Sequence, residues 1–223
     1  VKKEIYIVKG LASEGYPDFR ERVFSMAEKI RGQSEPETLR LTLTLGPPPV
    51  ISVIPFRKEK VAALSVTGGS ARAVSLLSPS KGFIGRYLVE EAVPVAYQKT
   101  WEDGAPTPGI CMLTLFNRKP GIDRNTFLER WHQGHTPLSL RIHPLWNYNR
   151  NVVLEPPEED DVSYEGIVEE QFRERSQLLN PFRFFGPPMQ VPRHMMQVLR
   201  DSRSFIDLKR IEVYLTTEYH LKS

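Results

Sequence analysis

Three residues near the end of each half of the chain recur under one spacing: Tyr87, Leu88 and Glu91 reappear as Tyr214, Leu215 and Glu218, each 127 residues on. Combined with the order of elements in each half, these three matches favour two copies of one unit. In the first half, "KEIYIVKG" reads as a strand. "YPDFRERVFSMAEKIRG" then sets Phe19, Val23, Ala27 and Ile30 on one helical stripe ahead of Gly32. Leu39, Leu41, Leu43 and Leu45 alternate strictly with polar partners. "VISVIPF" and "KVAALSVTG" extend this series of strands, which Gly46 and three prolines interrupt. A short helix, "SARAVSLL", and a further strand, "GRYLVEEAVPVAY", complete the order strand, helix, strands, helix, strand. That is the layout of a ferredoxin-like unit, with helices on one face of an antiparallel sheet.

The order restarts after the Pro/Gly-rich joint "KTWEDGAPTPG". "ICMLTLF" is apolar on both faces, as a strand must be when helices cover one side and a barrel interior lies on the other. A helix capped by Asp123 follows Pro120–Gly121 and runs through "FLERWHQGHTPL", where Thr136–Pro137 is expected to stop it. "WNYNRNVVLEP" and "YEGIVEEQF" read as strands around an acidic solvated turn, "PEEDD". An irregular aromatic stretch, "LNPFRFFGPPMQVP", leads to a helix with an expected break over Asp201 to Ser204, and "RIEVYLTTEYHL" is the last strand. The fold class is therefore α+β: two tandem ferredoxin-like units, 1–103 and 104–223, forming a pseudo-dimer whose sheets close one barrel and so remove their exposed edges.

Composition narrows the function classes. The chain is 40% hydrophobic and 26% charged, an ordinary globular balance. Its 30 basic and 27 acidic residues are interspersed, so no basic patch suited to nucleic acid forms. Cys111 is the only cysteine and reads as buried packing. No apolar run reaches the ~18 residues of a membrane span, and no secretory signal is visible. A cytoplasmic setting without membrane or nucleic-acid partners is the expectation.

Candidate chemistry is concentrated in the second half. Phe127, Trp131 and His135 share an i, i+4, i+8 stripe, apolar for two turns and then ending in an imidazole. At a helix end the dipole favours a proton on the ring while burial opposes it, so His135 reads either as a structural cap or as a general acid/base. His132 lies off the stripe, and neither "HQGH" nor "ERWH" has further ligands at metal-binding spacing, so no metal is expected. His143, His194 and His220 are scattered singly and read as surface or satisfied core residues. In "NYNRN", alternation puts Tyr148 and Arg150 on one face and Asn147, Asn149 and Asn151 on the other. Only one of Tyr148 and Asn151 can then face a pocket, and Tyr148 is preferred. The first-half residues matching Trp131 and His135 are Val23 and Ala27, so that half serves as scaffold. Phe182, Phe184, Phe185 and Met189 suit a lid, a subunit contact or core filling.

The segments "FNRKPGIDRNTFLERWHQGHTPL", "HPLWNYNRNVV" and "DSRSFIDLKRIEVYLTTEYHL" together resemble the EthD domain family of dimeric α+β barrel proteins over about 110 residues. The most specific part is Trp131, three residues, His135 and then Pro137–Leu138. The family typically has Gly where this chain has Thr136, which reduces backbone freedom there. The resemblance implies a mainly apolar pocket between sheet and helices in a superfamily of cyclases, isomerases, dehydratases, monooxygenases and haem enzymes. The expected function is cofactor-free proton transfer on a small hydrophobic aromatic or polyketide-like carbonyl compound. His135 would be the acid/base and Tyr148 the carbonyl donor, with Trp131, Phe127, Asn151 and Phe184 around the substrate. The alternatives are a non-catalytic binding or accessory protein for a partner oxygenase and, third, haem binding through a histidine. A homodimer through the aromatic loop at Phe184 is a further expectation.

Overall fold

A computed structural model describes residues 3–68, 70–154 and 162–223. The acidic turn expected at 157–161 lies outside them. The first half contains β1 (Lys3–Lys9), α1 (Tyr16–Ser34), β2 (Thr38–Leu43), β3 (Val61–Thr67), α2 (Ser70–Leu77) and β4 (Phe83–Val95). The second contains β5 (Ile110–Phe116), a helical segment spanning 124–142, β6 (Asn147–Val153), β7 (Gly166–Phe172), α5 (Arg175–Leu179), α6 (Pro181–Phe184), α7 (Val191–Phe205) and β8 (Glu212–Lys222). All eight strands pair antiparallel in a closed barrel of order β1-β3-β2-β8-β5-β7-β6-β4. Read around the ring, β4-β1-β3-β2 is followed by β8-β5-β7-β6, the same order twice. Closure within one chain leaves no strand edge unpaired.

Alternation divides every strand between the barrel interior and an outer face covered by helices. Outside the first half, Tyr6, Val8, Leu41, Leu64 and Val66 meet Phe19, Val23, Ala27 and Ile30 of α1 in a continuous apolar core. The stripe predicted for α1 is the face that it buries. Pro17 fits the first turn, where its missing N–H needs no partner, and the helix ends at Glu35 in the left-handed conformation before Pro36.

The interior has an apolar part, including Ile5, Ile7, Leu113, Leu115 and Ile167, and a polar part. In the latter Lys3 Nζ donates to Glu91 at 2.6 Å and Asn151 at 2.8 Å, Arg40 to Glu91 at 2.7 Å, and Tyr97 to Glu218 at 2.6 Å. The recurring residues occupy matching places: Tyr87 and Tyr214 share the apolar cluster, while Glu91 and Glu218 anchor the polar network. Cys111 is fully buried.

Two expected features are corrected. "VISVIPF" is not a strand, because both edges of β2 are taken by β3 and β8 and prolines flank the segment. It crosses to the second half instead, where Ile54 and Phe56 pack and Arg57 N donates to Val213 O at 2.7 Å. Nor does a break occur at Asp201 to Ser204: α7 is continuous to Phe205, whose burial holds its last turn.

Candidate active site

The helix carrying the Phe127 stripe opens as α3 (Arg124–Glu129), where the Asp123 carboxylate accepts from Thr126 N at 3.0 Å. It does not stop at Thr136–Pro137. A π-helical turn, Arg130–His135, passes into α4 (Thr136–Ile142), and Thr136 N–H bonds the Trp131 carbonyl five residues back. Thr136 Oγ1 donates to the same oxygen at 3.0 Å. The wide turn accommodates Pro137, which has no N–H and would crowd the carbonyl four residues before it in a regular α-helix. His135 therefore sits within a continuous helix, and the dipole argument for a terminal imidazole does not apply to it.

Between this helix, α6, α7 and the outer face of β5, β6, β7 and β8 lies a cavity of about 690 Å³. Phe116, Trp131, Phe184, Phe185 and Phe205 supply much of its wall, with residues 53–55 at one side. Gly166 permits the close packing behind it, since a Cβ there would come within 2.5 Å of the Phe116 ring and 2.9 Å of Trp131.

Few polar groups reach this apolar space. His135 Nδ1 is 2.6 Å from Asp201 Oδ2 of α7, and its Nε2 is 3.2 Å from Ser139 Oγ on α4. A carboxylate only accepts, so the neutral ring carries its proton on Nδ1 and turns an Nε2 lone pair toward the serine hydroxyl. Glu170 projects from β7 between Met112 and Tyr148 of the neighbouring strands. It is 7% exposed, and no described residue forms a hydrogen bond or ion pair with its carboxyl group. Burial pushes its pKa up to about 7. Tyr148 is raised to about 12 by burial and by the charge of Glu170. His143 also lines the cavity, stacked on Phe184 at 4.0 Å, with Nδ1 3.1 Å from the Phe184 carbonyl. Burial lowers it to about 4, so it stays neutral near pH 7.

Four of the residues singled out in the sequence meet here: Trp131, His135, Tyr148 and Phe184. Phe127 does not line the cavity; it is wholly buried behind the wall, with its ring 5.5 Å from Trp131. Asn151 does not line the cavity either: alternation turns it into the barrel, where it accepts from Lys3 and donates to the Ile167 carbonyl. Phe184 faces inward, whereas Phe182 and Met189 are the exposed members of the aromatic loop. Asp201, Ser139 and Glu170 were missed. Asp201 read as a helix breaker, but the pair Glu169–Glu170 carried a signal. Adjacent residues of a strand buried on both faces cannot both point to solvent.

Among the described residues no group of three or more His, Cys, Asp or Glu could hold a metal ion. None of their helices is long and apolar enough to cross a membrane.

No family model matches the chain, and no curated protein matches it, so the EthD resemblance gains no support from either. Solved structures do match. An anthrone oxidase-like protein aligns over 98% of this chain and 90% of its own, with a TM-score of 0.60 and 9% identity. A candidate monooxygenase from Fusobacterium nucleatum subsp. nucleatum covers 99% of this chain and 92% of its own, at TM-score 0.52 and 9% identity. One from Lactobacillus acidophilus covers 100% and 98%, at 0.50 and 9%. At such identity the likeness is one of fold, that of the dimeric α+β barrel proteins.

Proposed function

We propose that this chain is a pseudo-dimer of two ferredoxin-like units, divided as 1–103 and 104–223, whose second, EthD-like unit is a cofactor-independent proton-transfer enzyme. Its substrate is a small, hydrophobic, aromatic carbonyl compound with an acidic C–H or O–H. The observation that carries this reading is the pairing, in one apolar cavity, of a carboxylate-braced histidine with an isolated carboxyl group. The neighbour described as anthrone oxidase-like supports an aromatic substrate on this fold.

In this mechanism His135 Nε2 takes the proton, after the Ser139 hydroxyl yields its place or relays it. Asp201 stabilises the imidazolium that forms. The carbonyl oxygen gains negative charge as its enolate develops and accepts a hydrogen bond from the neutral carboxyl of Glu170 or from Tyr148 Oη. Returning the proton to a different carbon completes an isomerisation; delivering it to a leaving hydroxyl releases water and completes a dehydration. Trp131, Phe184 and Phe205 exclude bulk water from these steps.

Anthrone in heavy water provides the test. The wild-type protein should bind it and accelerate exchange of its acidic hydrogens, read by NMR, and His135→Asn should bind it without exchange. Binding without accelerated exchange by the wild type would replace catalysis with the accessory-protein reading, and mass spectrometry of co-purified small molecules would then identify the natural ligand. Absence of both binding and exchange would reject the aromatic substrate class.

A further inference from the structure

The cavity opens through an apolar rim that no element among the described residues covers. Val53, Met195, Met196 and Leu199 line it and are themselves solvent-exposed. Val50 and Ile51, 98% and 92% exposed, lie within three residues of Val53, so the chain holds them no more than about 11 Å from the opening. Met189, 93% exposed, precedes α7 by two residues. Soluble proteins rarely leave side chains of this size so fully in water unless the surface meets something apolar.

The charge beside this rim is predominantly basic, with exposed Glu59 adjoining Lys58 as an acid on the same segment. On α7, Arg193, Met196, Arg200 and Arg203 fall on one outward stripe, at i, i+3, i+7 and i+10, and all four are exposed. Arg57 and Lys58 are exposed on the segment that runs along β8 beside the cavity. None of these five basic residues forms an ion pair with another described residue. The acid within α7, Asp201, turns to His135 instead. Apolar side chains flanked by unpaired arginines are the pattern of a surface that rests in the headgroup layer of an anionic bilayer.

We infer that the face formed by residues 50–58 and the outer stripe of α7 docks peripherally on an anionic lipid membrane, with Val50 and Ile51 inserted, so that a lipophilic ligand passes from bilayer to cavity without crossing water. The expectation of no membrane partner rested on the missing transmembrane run, which does not address surface docking. The occupant is lipid because basic side chains complement phosphatidylserine headgroups, whereas a second copy of this chain would set the same arginines against one another.

Sedimentation of the full chain with vesicles tests this without reading turnover, so it stands or falls apart from the proposed reaction. Wild-type protein should sediment with vesicles of phosphatidylcholine mixed with phosphatidylserine, weakly with phosphatidylcholine alone, and less as salt rises. Val50→Asp with Ile51→Asp should lower the affinity by more than about tenfold. Arg193→Gln and Arg200→Gln should each lower it by about fivefold. Val93→Asp, an exposed apolar position on β4 at the polar barrel mouth, should leave it unchanged with the same circular dichroism. Equal binding to both vesicle types, or retention by the Val50/Ile51 double variant, would overturn the inference. So would a doubled mass in solution that the double variant returns to the monomer, because a second copy would then be the occupant.

Discussion

The two halves of the barrel bury their outer faces in opposite ways. Against the first sheet α1 sets Phe19, Val23 and Ala27, all wholly buried, and the space is filled. Against the second the same stripe reads Phe127, Trp131 and His135, and a cavity of about 690 Å³ remains beside it. The carboxylates differ likewise. Glu4, on the outer face of β1, is held by Arg86 at 2.5 Å and by Tyr6, whereas Glu170 faces the cavity with no such partner. Repeated topology thus fixes where an outer pocket can form, and side-chain volume decides which of the two is empty. The unfilled half is also where burial leaves a carboxyl group partly protonated near pH 7.

The largest expected effect is catalytic and confined to the hollow half. His135→Asn should reduce turnover by about two to four orders of magnitude with ligand affinity largely kept, whereas Glu170→Gln, whose amide still donates a hydrogen bond, should cost far less. His132→Asn, on the same helix but outside the cavity, should leave turnover unchanged. Loss of activity in His132→Asn with full activity in His135→Asn would move the site off the stripe.

Emptying the wall should come next in size. Trp131→Ala should cost about 3–5 kcal/mol in urea denaturation, since Trp131 is fully buried against Phe116 and Phe127. An unchanged midpoint would show that Trp131 is not a structural wall.

Acidity distinguishes the halves through Glu170. Its folded pKa, about 7, exceeds the ordinary glutamate value of 4.5. The native state therefore holds an extra proton between those values, and stability falls as pH rises from about 4.5 to about 7, then levels off. The loss is of order 3 kcal/mol. Glu170→Gln should flatten that limb in denaturation midpoints measured across the window, and a slope that persists in the variant would assign it to another group.

The smallest effect compares packing directly. Ala62→Leu, within the filled first core, should destabilise by about 1–3 kcal/mol, whereas Val213→Leu, on the cavity wall, should cost less than about 1 kcal/mol. Equal costs would mean that the cavity is closed in solution.

Much of this architecture was legible in the chain itself. Period-two alternation in β2, the doubly apolar run of β5, the Phe19 and Phe127 stripes and the 127-residue recurrence are local or self-referential signals, so they specify elements, faces and the repeat without any knowledge of neighbours. Alternation alone also separates Tyr148 from Asn151. What the tertiary structure decided depends on groups far apart in sequence. Asp201 meets His135 across 66 residues, and residues 53–55 reach the cavity from the other half. The π turn that keeps His135 inside a helix, and the isolation that raises Glu170, follow from packing around Pro137 and from the apolar residues that surround β7. Sequence patterns carry which face is buried, while an ionisable group's neighbours, and hence its chemistry, exist only once the chain has closed on itself.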